Sequence, residues 1–120
     1  MNILVVIHLL AAFGLLNVWI FRFKNKTKYR GGNAKNMKEE FATYGLPEWF
    51  MYVVGTLKIL IAIALIIGIW FESLTFPVAS ILAILMLGAI SMHIKVRDNF
   101  RKIIPAIIML IFSIALVLFG

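Results

Sequence analysis

Four residues whose side chains can donate, accept or transfer protons lie inside long apolar stretches of the sequence: His8, Asn17, Lys58 and His93. An ionisable side chain in the hydrocarbon of a membrane is costly, and it usually faces neighbouring helices or a water-filled cavity. Lys58 is the clearest case, because it lies near the middle of the apolar run 49–70. Its amine must reach water, pair with an acid or bind a ligand.

Depth in a membrane decides which of these groups can meet. At a rise of about 1.5 Å per residue, Asn17 and His93 lie roughly 7 Å and 12 Å to the inner side of their helix centres. A lysine side chain leans toward its helix N-terminus, so the Lys58 amine reaches the level of Asn17 and of Ser91, which lies roughly 9 Å to the inner side. We therefore predict a ligand site that comprises Lys58, Asn17, His93, Gly55, Ser91 and Tyr52. Gly55 would leave room for the lysine stem or for a ligand, and Tyr52 would continue that face of the helix.

Several roles stay open for the ionisable residues. Lys58 can snorkel to the surface and bind nothing, form a buried pair with Glu48, or serve a ligand or a proton. His93 is either an interfacial residue without a function or a member of the ligand site. His8 belongs to the other leaflet, roughly 18 Å from His93 along the membrane normal. The two imidazoles therefore cannot share a metal ion or a haem iron.

The sequence offers no catalytic machinery that could work alone. We find no nucleophile with a base and an orienting group, no metal-ligand spacing and no glycine-rich nucleotide loop. Cysteine is absent, which excludes dithiol chemistry and iron–sulfur clusters. We expect no activity of the isolated chain, with a subunit of a quinone-linked oxidoreductase as the alternative. Catalytic residues remain unassigned and no metal site is expected. No cofactor is assigned, and quinone is the candidate that stays open.

The composition is typical of a membrane protein. Hydrophobic residues make up 63% of the chain and charged residues 14%, whereas soluble domains are nearer one half and one quarter. Apolar runs long enough to span a membrane occupy residues 3–21, 49–70, 76–94 and 103–119. The short connections make consecutive helices antiparallel. We predict a single domain, 1–120, with an all-α, integral membrane four-helix up-down bundle.

The basic residues predict the orientation of this bundle. Seven of the twelve Lys and Arg residues lie between the first two apolar runs and four between the last two, whereas the middle loop carries only Glu72. Basic loops stay in the cytoplasm, so both charged loops are predicted inside and both termini outside. We assign the charge to topology and to anionic headgroups, and not to nucleic acid, because the aromatic residues lie mostly within the spans.

The first charged loop, 22–48, has a helical signal of its own. Asn36 and Glu39 have the spacing of a capping box, and apolar residues then recur on one face. An amphipathic helix at 37–44 on the inner membrane surface is predicted, with a mobile basic loop as the alternative. The segment 30–33, with two glycines, is predicted to be flexible.

Two stretches resemble the DoxX-like family of small bacterial four-helix membrane proteins: YGLPEWFMYVVGTLKILIAIALIIGIW and LGAISMHIKVRDNFRKIIPAI. The resemblance implies an inner-membrane protein whose relatives include a subunit of a thiosulfate:quinone oxidoreductase. The recurring family features fall on Gly55, Lys58, Gly68, Gly88, Ala89, His93, Asp98 and Pro105. Lys58 stands where many DoxX proteins have a glutamate, and the first helix lacks the charge of some relatives. Direct redox activity is therefore less strongly implied.

Three functions are compatible with these observations. The leading hypothesis is a membrane subunit or binding module that holds a quinone-like or amphipathic anionic ligand near Lys58, where Asn17 orients the ligand and His93 relays protons. The alternatives are a small proton- or anion-coupled transporter and a structural membrane scaffold for a soluble partner. The lipid bilayer is the expected environment, and a homodimer or a redox partner subunit is compatible with a bundle that buries little surface.

Overall fold

A computed structural model describes residues 3–21, 24 and 29–120. Its helices are α1 (Ile3–Leu16), α2 (Met37–Thr43), α3 (Glu48–Ile67), α4 (Thr75–Lys95) and α5 (Phe100–Phe119). A π-helical segment, Asn17–Phe21, continues α1, and a 3-10 turn, Glu72–Leu74, precedes α4. All but α2 belong to stretches long and apolar enough to cross a membrane. The predicted all-α membrane bundle is confirmed. Arg22, Lys26 and Lys28 of the first charged loop lie outside the described residues.

The four long helices form a closed ring. α1 packs against α3 and α5, and α4 packs against the same two helices, whereas the described residues of the diagonal pairs do not meet. Small side chains allow close approach where there is no water to expel, and Ala11, Ala12 and Ala62 are fully buried. They belong to the central core cluster, together with Leu65 and Leu116.

The short helix α2 covers one end of this ring. It begins at the N-cap that the sequence indicates: the Glu39 amide donates to Asn36 Oδ1 at 2.9 Å. The second bond joins the two side chains, from Asn36 Nδ2 to Glu39 Oε2 at 3.0 Å, and not the Glu39 carboxylate to the Asn36 backbone amide as in a capping box. Its apolar face, Met37 and Phe41, packs on Trp19 and Met51 in a second core cluster. α2 is thereby anchored to the π-helical segment and to α3.

The prediction that residues 30–33 are flexible is wrong. The Gly31 amide donates to Glu40 Oε1 and the Gly32 amide to Asp98 Oδ1, both at 2.9 Å. Gly32 has a φ of +55°, a left-handed conformation that glycine adopts without strain. Two acceptors from elsewhere in the chain therefore hold this segment. We call residues 29–46 the strap, and the end of the bundle that it covers the basic end.

Candidate functional site

A cavity of about 670 Å³ lies between the long helices and extends to the strap. We call it the intramembrane cavity. Its walls are mostly apolar, and its polar lining residues are Asn17, Tyr29, Arg30, Glu40, Tyr44, Lys58, His93 and Lys102. The volume falls within the range of about 300–1,000 Å³ that is usual for small-molecule sites. The lining combines a long apolar surface with a polar region near the basic end.

Lys58 lines this cavity and lies beside an indole ring. Its Nζ is 5.1 Å from the centroid of the Trp19 ring, within the distance of a cation–π contact. Among the described residues no carboxylate forms an ion pair with Lys58. Glu48, the partner considered from the sequence, instead pairs with Lys38 at 3.6 Å. The ammonium thus lines the cavity without a directly paired carboxylate in the part of the chain that the structure describes.

The π-helical segment and a glycine together position Trp19. Such segments insert an extra residue into a helix and are frequent at functional sites. The buried indole packs against Gly55 so closely that a Cβ there would lie 2.7 Å from Trp19 Cζ3. It also meets Phe41 edge to face, with ring centroids 5.9 Å apart. The space at Gly55 is therefore filled by Trp19, and not by the lysine stem or a ligand as expected from the sequence.

Replacing Gly55 by alanine should displace Trp19. We expect the free energy of unfolding to fall by about 1–3 kcal/mol, the usual cost of overpacking, with a change in Trp19 fluorescence. Gly88→Ala is the matched control, since a Cβ at Gly88 would meet nothing within 4 Å. Thermal unfolding of both variants in mild detergent measures the difference. Equal stability of the two variants would show that the Gly55–Trp19 packing is not tight.

The remaining predicted site residues divide into two groups. Asn17 and His93 line the intramembrane cavity together with Lys58. Ser91 is exposed and donates to the carbonyl of Leu87 at 2.8 Å. Tyr52 lies on the exposed outer face of α3. The structure thus brings three of the six residues to the cavity and leaves Ser91, Tyr52 and Gly55 outside its lining.

Glu40 is the centre of a buried polar network at the strap. Glu40 Oε1 accepts hydrogen bonds from the Gly31 amide and the Tyr44 hydroxyl, both at 2.9 Å. Glu40 Oε2 pairs with Arg30 at 3.1 Å, and the Arg30 side chain is only 4% exposed. The sequence interpretation missed this pair. The available signal was the position of Glu40 on the apolar face of α2, three residues after Met37.

Asp98 joins the strap to α4 and α5. Asp98 Oδ2 lies 2.8 Å from His93 Nδ1, and Asp98 Oδ1 accepts the Gly32 amide and lies 3.8 Å from Lys102 Nζ. Because a carboxylate only accepts hydrogen bonds, His93 Nδ1 carries the proton of this contact. Lys102 Nζ also donates to the Gly32 carbonyl. His93, expected from sequence to be either an interfacial or a site residue, is buried beside the cavity.

Tyr44 closes the polar region between these two networks. Its ring meets the His93 ring edge to face, with centroids 5.9 Å apart, and its carbonyl accepts from Lys95 Nζ at 2.8 Å. Burial raises the pKa of the Tyr44 phenol well above its usual range, and the Glu40 carboxylate raises that pKa further. The phenol therefore stays protonated and donates to Glu40.

The raised pKa of Tyr44 predicts an alkaline signature. The folded protein holds this proton more tightly than the unfolded chain, so the associated stabilisation is complete below pH about 10, the usual tyrosine pKa, and is lost as the pH rises above it. We expect wild type and Tyr44→Phe to show the same tyrosinate absorbance change around pH 10 while folded. A smaller change in Tyr44→Phe would mean that Tyr44 ionises normally.

His8 lies away from this site. Its Nδ1 donates to the carbonyl of Leu65 at 2.8 Å, and the side chain is buried. It has the hydrogen bond expected of a packing histidine. Within the described part of the chain no group of three or more His, Cys, Asp or Glu residues could hold a metal ion.

The fold defines a small helical membrane protein with an internal cavity. Comparison with known proteins identifies its family. The chain belongs to the DoxX-like family, whose model matches residues 30–116. It is also 35% identical over 81 residues to the uncharacterized protein YdgD of Bacillus subtilis (strain 168), an alignment that covers 67% of this chain and 71% of that protein. No solved structure matches the chain.

Proposed function

We propose that this DoxX-like membrane protein is a binding module that holds an amphipathic ligand, quinone-like or anionic, in the intramembrane cavity. The observation that carries the proposal is the position of Lys58. Its ammonium lines a largely apolar cavity, and no described carboxylate pairs with it. A buried charge without a partner is costly. A ligand oxygen that accepts a hydrogen bond from Lys58 would therefore stabilise the charged lysine and hold the ligand in the cavity.

Each polar neighbour has a role in this proposal. Lys58 donates to a carbonyl or anionic oxygen of the ligand, and Asn17, at the rim of the cavity, orients the same group. His93, whose ring orientation Asp98 fixes, can exchange a proton with the ligand. The apolar walls hold the ligand's hydrophobic part.

The α1–α5 seam offers a route from the lipid into the cavity. Leu10 and Val18 on one side and Ile108 on the other line the cavity and are also exposed. α1 and α5 nevertheless touch nearby, since a Cβ at Gly14 would lie 2.9 Å from Met109. We propose that an amphipathic molecule enters past the exposed lining residues on either side of this contact, with its head moving toward Lys58.

Mass spectrometry of what co-purifies from native membranes tests the proposal. We expect an amphipathic molecule in roughly stoichiometric amount, reduced in Lys58→Met but retained in Lys38→Met, which removes an exposed lysine. Equal retention in both variants, or no bound molecule in the wild type, would contradict it.

Proton- or anion-coupled uptake into proteoliposomes that disappears in Lys58→Met would assign transport instead. Loss of function on deleting 34–44 with ligand retained would indicate a scaffold.

We further propose that the basic end faces the cytoplasm of a bacterial inner membrane and that both termini lie outside, because basic loops are retained inside. The chain has no cysteine, so single cysteines can report the orientation. In intact cells an impermeant thiol reagent should label Glu72→Cys and spare Lys35→Cys, both at exposed positions. Both should react in broken membranes. The reverse pattern in intact cells would invert the orientation.

A further inference from the structure

The charges around the intramembrane cavity leave one cation unmatched. Of the described lining residues, Arg30 pairs with Glu40, and Lys102 lies 3.8 Å from Asp98. Lys58 has no such partner within the described chain. Glu40 is close enough to act on the Lys58 ammonium electrostatically, but its oxygens already accept from the strap and from Arg30. The cavity therefore has a surplus of one positive charge, located at Lys58.

The size of the cavity limits the molecule that can bring the missing charge. Its volume is about 670 Å³, and at about 30 Å³ for a water-sized group this gives room for roughly 20 non-hydrogen atoms. One long alkyl chain with a small head has that size, whereas a phospholipid with two acyl chains is much larger. The mostly apolar walls suit such a chain.

We propose that the ligand is a single-chain carboxylate, of the long-chain fatty acid class, whose head group forms an ion pair with Lys58. This inference rests on the proposed function and narrows its ligand to one chemical class. A carboxylate supplies one negative charge, which matches the surplus, and its hydrogen bond with an ammonium is stronger than one to a neutral carbonyl. A phosphate monoester carries about −1.5 to −2, more than Lys58 can neutralise beside Glu40.

Trp19 supplies a local reporter of this ion pair. It lies 5.1 Å from Lys58 Nζ and lines the cavity. The chain has three tryptophans, and the other two, Trp49 and Trp70, are exposed. In the full-length Trp49→Phe/Trp70→Phe protein, quenching by a brominated chain therefore reports binding beside Lys58.

The test compares two brominated probes that differ only in the head group, dibromostearate and dibromo-octadecanol, in a nonionic detergent at pH 7. We expect the carboxylate to bind about tenfold to hundredfold more tightly than the alcohol, the usual range for a hydrogen bond to a charged group. Lys58→Met should remove most of this preference, and Lys58→Arg should keep it. The comparison in the unsubstituted Lys58 background does not depend on how well any Lys58 variant folds.

The outcomes separate this inference from the proposed function. Equal affinity for both probes would overturn the carboxylate assignment and leave a binding module for neutral amphiphiles such as quinones. If octadecyl phosphate displaced the bound dibromostearate more strongly than stearate does, the carboxylate assignment would also be overturned. Failure of both probes to quench Trp19 would contradict the proposed function itself. A preference for the carboxylate that persists in Lys58→Met would overturn the role of Lys58.

Discussion

Replacing Glu40 by glutamine should lower the free energy of unfolding by about 3–5 kcal/mol, the usual cost of removing one partner of a buried ion pair. Arg30 would lose the carboxylate that neutralises it at a position where its side chain is 4% exposed. The glutamine amide can replace only part of the acceptor capacity that Gly31 and Tyr44 use. Few single substitutions cost this much, because most surface positions tolerate change.

The neighbouring glutamate supplies a matched control for Glu40→Gln. Glu39 lies one residue earlier on the exposed side of α2 and accepts from Asn36, a role that the amide oxygen of glutamine also fills. We expect Glu39→Gln to change stability by less than about 0.5 kcal/mol. Titration of both variants with a denaturing detergent, followed by circular dichroism, measures the two effects. If they are equally stable, the Arg30–Glu40 pair does not contribute as the structure indicates.

Asp98→Ala should release the strap from α4 and α5. The substitution leaves the Gly32 amide and His93 Nδ1 without their acceptor and removes the negative charge next to Lys102. A buried donor without a partner costs about 1–3 kcal/mol, so we expect a total near 3 kcal/mol. Because Met37 and Phe41 still anchor α2 through the second core cluster, much of this effect should be local to the segment with the two glycines.

Hydrogen exchange measures that release directly. We expect the amides of Gly31 and Gly32 to exchange about a hundredfold faster in Asp98→Ala, while the centres of α3 and α4 keep their protection. Glu72→Ala is the control, since Glu72 is an exposed acid at the opposite end of the bundle. Unchanged exchange at Gly32 would mean that contacts other than Asp98 hold the strap.

The fold was predictable from the sequence because hydrophobic length dominates in a membrane. Four apolar runs must become helices to satisfy their backbone groups, and short connections such as 68–74 leave only antiparallel neighbours. The strap was not predictable by the same reasoning. Gly31 and Gly32 indicate flexibility when read locally, yet their amides are fixed by Glu40 and Asp98, and Asp98 lies 66 positions further along the chain.

The sequence predicted the depth of the candidate residues in the membrane but not which way each helix turns them. Helical rise places Asn17, Lys58 and His93 at similar levels, and all three line the intramembrane cavity. Ser91 has the same depth but lies on an exposed face, because depth alone does not give the rotation of a helix. Gly55 was expected to leave space for the lysine stem or a ligand, and that space is filled instead. Its occupant, Trp19, depends on the π-helical segment, which no periodicity in the first apolar run indicated.

Because of the π-helical segment, the position of Trp19 beside Lys58 depends on the number of residues in this segment as well as on their types. A single-codon deletion between Leu16 and Trp19 would remove the extra residue of this segment, let α1 continue with regular winding, and change the height and rotation of the indole relative to α3. Trp19 would then shift from its place beside Lys58 and Gly55 although its own codon was unchanged. Mutational scans built only from substitutions would overlook this dependence, whereas a scan of deletions and insertions through 14–21 would detect it.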